Sequence, residues 1–322
     1  MKFSTPILFL VYKNAKATKE VFNEIIKLKP LKLYIAADGP KNDLEEAECL
    51  DVRAITDNID WECEVHRRYL DNNLGCKKAV SSAISWLFDN EERGIILEYD
   101  CLPHKSFFTF CENMLVKYEN NKSIMHISGA NLQDGINRGD GSYYFSALTG
   151  VWGWATWKSS WDLYESNSTD VKEFIESDTY KGAINNTKVR GYWSKRFLQV
   201  FDGINKSSWA IPWAFSVMKN KGLCVVPNVN LISNIGFNEN ATHATDKNSP
   251  FSCVKTKGIE NFIEPISVTI NHDADNYVMM KFYREEDSLF VIFKLNIKKY
   301  FFPFLSKLVR SKLLKFNQKF LR

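Results

Sequence analysis

At 322 residues, with 45% hydrophobic and 25% charged residues, the chain holds enough apolar material for one large domain or two small ones. The net charge of +4 is uneven: residues 289–322 carry nine Lys and Arg and no acid, leaving the other 288 residues at −5, which argues against a nucleic-acid partner for the body. Seven cysteines without a Cys-x-x-Cys pair argue against a disulfide or zinc framework and fit a reducing cytosol, and no stretch approaches the roughly 18 apolar residues of a membrane span.

The apolar run Pro6 to Val11 follows Lys2 but is too short for a signal-peptide core, so it reads as a first strand. Ala17 to Leu28 places Val21, Ile25, Ile26 and Leu28 at helical spacing, with Thr18 as its expected cap. Leu31 to Ala37 reads as a second strand ending in Asp38-Gly39-Pro40. Strand, helix, strand with short joins makes a βαβ unit, hence a parallel sheet with a right-handed crossover. A third strand, Trp61 to Tyr69, leads through Asn73-Leu74-Gly75 into a helix at Cys76 to Phe88 whose first turn carries Lys77 and Lys78.

Gly94 to Leu97 is a short β-branched run bounded by glycine and reads as a buried strand. It delivers Glu98 and Asp100 at i and i+2 to one face, with Tyr99 on the other, before Pro103 opens a helix over 104–118. Two such carboxylates either hold a divalent cation with a phosphate ligand or sit solvated at a strand end. In parallel α/β sheets ligands bind beyond the carboxyl ends of the strands, where Tyr12, Asp38, Gly75, Glu98 and Asp100 all fall. No Gly-x-Gly-x-x-Gly and no Gly-Lys-Ser/Thr loop is present, which argues against a dinucleotide-binding dehydrogenase and a P-loop ATPase.

Further along, Trp152, Trp154, Trp157 and Trp161 cluster near Gly150 and Gly153, and serve either as core or as a platform for a sugar ring. Trp154 is the one expected to touch substrate. Segments 190–203 and 211–222 read as helices and 223–227 as a strand, whereas 247–288 is a connector of mixed pattern with a strand-like piece at 267–270. Residues 289–322 alternate aromatic and aliphatic residues with lysines, the pattern of a basic amphipathic helix lying on an anionic membrane surface or docked on a partner.

Taken in order, Pro6-Ile7-Leu8-Phe9, Tyr34-Ile35-Ala36-Ala37-Asp38-Gly39-Pro40, Asn73-Leu74-Gly75-Cys76-Lys77-Lys78-Ala79, Gly94-Ile95-Ile96-Leu97-Glu98-Tyr99-Asp100-Cys101-Leu102-Pro103, Gly150-Val151-Trp152-Gly153-Trp154 and Asn234-Ile235-Gly236-Phe237 to Ala241-Thr242-His243 resemble the GT-A-fold, nucleotide-sugar-dependent glycosyltransferases of bacterial surface polysaccharide synthesis. A remoter similarity is to the N-acetylglucosaminyltransferase I type. The resemblance spans roughly residues 5–246. It implies a Rossmann-like, mostly parallel sheet flanked by helices over residues 1–246.

It further implies Mn²⁺ or Mg²⁺ held by Asp100, with Glu98 near the donor sugar and His243 as a second metal ligand. Asp38 matches the position that bonds the nucleotide base, with Tyr12 and Asn14 beside it, and Gly75, Lys77 and Lys78 lie near the diphosphate. Tyr99 replaces the usual middle Asp of the acidic motif, and Ala210 stands where relatives carry the Asp suspected as base, which leaves Asp162 and Asp202 as candidates by sequence proximity alone. The implied activity is transfer from a nucleoside diphosphate sugar, UDP-linked by first expectation, to a glycan or lipid-linked acceptor, with inversion, by a cytoplasmic protein peripheral to the inner membrane. Two other readings remain: a weakened sugar-nucleotide-binding protein, and a membrane-active protein acting through its basic tail.

Overall fold

The computed structural model describes residues 2–237, 251–252, 254–260 and 262–282. One compact unit runs Met1–Val278; in the second, Met279–Arg322, only 279–282 are described. The expected connector therefore lies in large part within the first unit, and the basic tail at 289–322 lies outside the described residues.

Strand β1 (Ile7–Val11) leads to α1 (Ala15–Leu28), β2 (Lys32–Ala37), α2 (Asp43–Ile55), β3 (Glu64–Tyr69), α3 (Cys76–Phe88), β4 (Arg93–Glu98), β5 (Cys101–Pro103) and α4 (Ser106–Lys117). The chain continues through β6 (Ile124–Ser128), β7 (Tyr143–Ser146), β8 (Trp154–Trp157) and the helices α5 (Lys158–Trp161), α6 (Val171–Glu176), α7 (Asp178–Ala183), α8 (Thr187–Phe201) and α9 (Ala210–Lys219). Strands β9 (Leu223–Pro227) and β10 (Ile232–Asn234) and helix α10 (His272–Phe282) complete it.

Eight strands form one mixed sheet in the order β3-β2-β1-β4-β8-β6-β9-β7. The first four are parallel, as the βαβ reading requires, and β6 pairs parallel with β9. β8 runs antiparallel between β4 and β6, and β7 closes the far edge antiparallel to β9. The architecture is a mostly parallel, Rossmann-like α/β sheet flanked by helices.

Alternation along the strands splits the core. Ile7, Phe9, Val11, Ile95 and Leu97 pack on the face covered by Val21, Phe22 and Ile25 of α1 and by Phe107, Phe110 and Met114 of α4. Leu8, Leu10 and Ile96 pack on the other face with Ile84 and Leu87 of α3 and Trp213 and Val217 of α9. Burying both faces of the central strands accounts for their near-continuous apolar runs.

Three local expectations change. The first helix is capped by Asn14, whose side-chain oxygen accepts from the Ala17 amide at 3.1 Å, while Thr18 is buried one turn in. The helix expected over 104–118 forms as α4, but Cys101–Pro103 before it is a separate strand rather than the end of β4: β5 pairs antiparallel with β10, Cys101 opposite Asn234 and Pro103 opposite Ile232. Helix α2 has no counterpart in the sequence reading, because Leu44 and Leu50 face solvent and only Cys49 and Val52 are buried, so its helical periodicity is faint.

Candidate functional site

Register fixes the site. Val11 lies opposite Ala37, and Leu10 opposite both Ala36 and Glu98, so the loops after β1, β2 and β4 leave one edge of the sheet side by side. The strand ends at Glu98, and a turn at Tyr99–Asp100, rather than the strand pleat, brings the second carboxylate to the first. The Tyr99 amide donates to the Leu10 carbonyl at 2.9 Å, and the Ile235 amide donates to the Asp100 carbonyl at 2.8 Å. A Cβ on Gly236 would stand 2.3 Å from Asp100 Oδ2, so only glycine lets the chain after β10 pass across this carboxylate.

Burial raises the pKa of Glu98, and the Asp100 charge raises it further. Burial raises Asp100 as well, opposed by the Cys101 thiol 3.5 Å from Oδ1. Tyr99 is pushed up by burial and by both acids. Cys76, the first residue of α3, is pushed up to about 12 by burial, then by the charges of Glu98, Asp38 and Asp100. Those influences place Cys76 within the same acidic cluster. Among the described residues no Lys, Arg or His offsets the Glu98–Asp100 pair, and no set of three His, Cys, Asp or Glu converges as a complete metal site.

Asp38 is tied into the chain: Oδ1 accepts from the Gly39 and Leu74 amides, both at 2.9 Å, and Oδ2 from the Gly75 amide at 3.1 Å. Its carboxylate holds the β2–α2 loop against the start of α3, where Gly75 adopts φ +77° as N-cap, a conformation that favours glycine. Tyr12 donates its hydroxyl to Glu45 on α2 at 2.5 Å. Asn14 spends its side-chain oxygen on the α1 cap.

Lys77 is half-buried, and its Nζ donates to the Ser166 carbonyl at 2.9 Å; burial lowers its pKa. Lys78 is exposed. His243 lies outside the described residues.

Two expected site residues are elsewhere. Trp154 is 0% exposed and packs among Trp209, Trp213, Trp161 and the His126 ring, 4.9 Å away and nearly parallel, so it is core rather than a substrate platform. Asp162 sits beyond the far end of β8, whose Trp157 is opposite Arg93 at the start of β4, and it pairs with Lys158 at 2.9 Å. Because β8 runs antiparallel, sequence proximity to the tryptophans carries Asp162 to the opposite edge of the sheet from Glu98. Gly150 and Gly153 admit core neighbours, Ser128 and Ile232, rather than a ligand.

The same reversal puts Trp152, just before β8, at the carboxyl edge of β4. It is half-buried and meets Phe237 edge-on at 6.0 Å, next to Gly236 and hence Asp100. Trp152 is one of the four tryptophans the sequence groups as core or sugar platform, whereas neither Cys76 nor Glu45 stands out in it as a site residue. Antiparallel placement of β8 would have been the signal for Trp152; Cys76 read only as a helix start, and Glu45 fell on a helix that was not recognised.

No protein-family model matches the chain, and no curated protein matches it. Solved structures similar to it include a UTP-bound UGPase from Acinetobacter baumannii, at TM-score 0.36 and 10% identity, covering 70% of this chain and 86% of that one. A UDP-glucose pyrophosphorylase complexed with UDP-glucose aligns at TM-score 0.36 and 9% identity over 70% of this chain and 90% of the other. A 4-diphosphocytidyl-2C-methyl-D-erythritol synthase from Anaerococcus prevotii aligns at 0.33 and 10% over 64% and 86%. Likenesses this distant do not bear on which reaction the chain performs.

Proposed function

We propose that the chain is a GT-A-type glycosyltransferase that moves a sugar from a nucleoside diphosphate donor, with UDP the first candidate, to a glycan or lipid-linked acceptor. The observation that carries this reading is the Glu98–Asp100 pair: two half-buried carboxylates at the carboxyl edge of parallel strands, without a counter-charge among the described residues. Leaving them so is costly, and hard divalent cations accept one or two carboxylates with substrate phosphates and water completing the shell. Glu98 and Asp100 would hold Mn²⁺ or Mg²⁺, with His243 proposed as a further ligand. When bound, such an ion supplies positive charge against the diphosphate that departs.

The remaining roles follow from position. The loops of Tyr12, Asn14 and Asp38 would border the nucleoside. Lys77 and the amino end of α3 favour phosphate, and Trp152 replaces Trp154 as the ring that would meet a sugar. In the proposed step an acceptor hydroxyl bonds to the anomeric carbon from the side opposite the diphosphate. The carbon–oxygen bond breaks, its electron pair leaves with the nucleoside diphosphate, the acceptor hydroxyl's proton passes to solvent water, and the configuration inverts. The C-terminal tail is proposed to bind an anionic membrane surface, which would set the protein at the cytoplasmic face where lipid-linked acceptors are presented. Among the described residues no helix is long and apolar enough to cross a membrane.

A second reading is favoured by the position of Asp162 on the wrong edge of the sheet, with Ala210 at the place of the usual base: a protein that binds a sugar nucleotide without turning it over. Incubation with Mn²⁺ and a panel of nucleotide sugars separates the two. Hydrolysis or transfer supports the enzyme. Stabilisation by a donor, about 2.7 kcal/mol at a hundredfold excess over Kd, without turnover supports the binding protein. Absence of both for every donor overturns both readings.

A further inference from the structure

Three loops leave the carboxyl ends of β1, β2 and β3, and one side chain outside them ties two of the three together. Glu45, in the first turn of α2, accepts the Tyr12 hydroxyl at 2.5 Å and the Lys41 amide at 3.0 Å on Oε2, and Lys13 Nζ at 2.6 Å on Oε1. The third loop joins through Asn73, whose Nδ2 donates to the Tyr12 hydroxyl at 3.2 Å and to the Gly39 carbonyl at 2.8 Å. Glu45 keeps only 13% of its side chain exposed, and its pKa is lowered to about 2, first by Lys13 and then by Tyr12. It therefore stays ionised at any physiological pH.

We infer that Glu45 is a positioning residue for the nucleoside end of the site, acting through Tyr12; the inference rests on the function proposed above. The phenol oxygen donates to Glu45 and accepts from Asn73, so its polar capacity is spent inside the rim. What Tyr12 keeps for a ligand is its ring, a flat apolar wall suited to a planar base. Lys13 Nζ lies 5.6 Å from the ring centroid, and its backbone is held at φ +31°, an uncommon region for a side chain other than glycine. The ion pair to Glu45 anchors that unusual turn. Only a carboxylate presents two acceptor oxygens to the three donors that converge here; an amide would set an N–H₂ against one of them. Fixing the wall before the ligand arrives lowers the ordering cost of binding.

The test uses full-length protein and calorimetric titration with UDP plus Mn²⁺, and separately with inorganic pyrophosphate plus Mn²⁺. Glu45→Gln and Tyr12→Phe should each raise the Kd for UDP about tenfold, the scale of one hydrogen bond to a charged group. Because both act through one contact, the double variant should bind no more weakly than the weaker single variant, and pyrophosphate binding should not change. Equal UDP affinity for Glu45→Gln and wild type overturns the inference, as does equal weakening for UDP and pyrophosphate, or additive losses in the double variant. Should Glu45→Gln fail to fold, Tyr12→Phe alone decides, since it leaves Glu45 with Lys13 and Lys41: unchanged UDP binding overturns the role. If the wild type binds none of UDP, CDP, ADP and GDP, the proposed function itself falls along with this inference.

Discussion

As pH falls, one buried imidazole should withdraw stability from this protein. His126 is fully buried; its Nδ1 accepts the Trp213 indole N–H at 3.1 Å, its Nε2 lies 2.9 Å from the Gly150 carbonyl, and its ring stacks on Trp154. A proton on Nδ1 would face the indole N–H, and burial withholds the water that would solvate the cation. Burial accordingly lowers the pKa to about 4 from an ordinary 6.5.

The sign follows from linkage. Below pH 6.5 the unfolded chain takes up a proton that the folded chain refuses until about pH 4, so the contribution of His126 to stability falls across that window. At 1.36 kcal/mol per pH unit the loss approaches about 3 kcal/mol, a large share of a typical domain stability of about 5–15 kcal/mol. Urea unfolding of wild type and His126→Gln at pH 7.5, 6.0, 5.0 and 4.5 measures it. The glutamine can accept at one end and donate at the other but does not titrate, so the difference between the two proteins should shrink by about 3 kcal/mol on acidification. Parallel profiles, or the His126 imidazole resonance, assigned by its loss in His126→Gln, titrating near 6.5 in the native protein, would refute the reasoning.

Glu98→Gln should stabilise the ligand-free protein at pH 8 by about 1 kcal/mol or more, since the raised pKa of an acid means its charge costs stability once pH exceeds the unfolded value. The same variant should lose any Mn²⁺-dependent shift in Tm with UDP, and a shift equal to that of wild type would remove Glu98 from the site. Gly236→Ala should cost about 1–3 kcal/mol, because its Cβ would overlap the Asp100 carboxylate, and should weaken Mn²⁺-supported UDP binding while leaving the far-ultraviolet dichroism intact. Asp275, buried on α10 with, among the described residues, the Ser146 hydroxyl and the Ala147 amide as its donors, has its pKa raised by burial to about 7. Its charge therefore opposes folding increasingly as pH rises from 3.8 through 7, and Asp275→Asn should gain up to about 4 kcal/mol at pH 8 and little at pH 4, read by urea midpoints.

The first half of the fold was legible because β1, β2 and β4 are buried on both faces, which writes them as short apolar runs, and because tight joins dictate parallel neighbours. Helix α3 and strand β9 fall at the boundaries their patterns indicate. The second half was not legible to the same degree. Strand β8 carries Trp154 and Trp157, and nothing in Trp-Ala-Thr-Trp discloses that it enters the sheet backwards between β4 and β6. That single reversal decides that Trp152 stands near Asp100 while Asp162 does not. The carboxylate pair could be read from the strand that precedes it. Its pinning by β10 and Gly236 could not, because the partners lie more than 130 residues apart and pair only through tertiary structure.

Cys76 turns the acidic cluster into something that can be followed chemically. With its thiol pushed up to about 12, first by burial and then by the charges of Glu98, Asp38 and Asp100, almost none of it is thiolate at neutral pH, and alkylating reagents should find it inert. Neutralising those carboxylates, by a cation or by amide substitution, relieves the electrostatic part of that suppression, so carboxymethylation of this one cysteine would accelerate as the charge is quenched. The protein thus carries its own label for the state of its acidic edge.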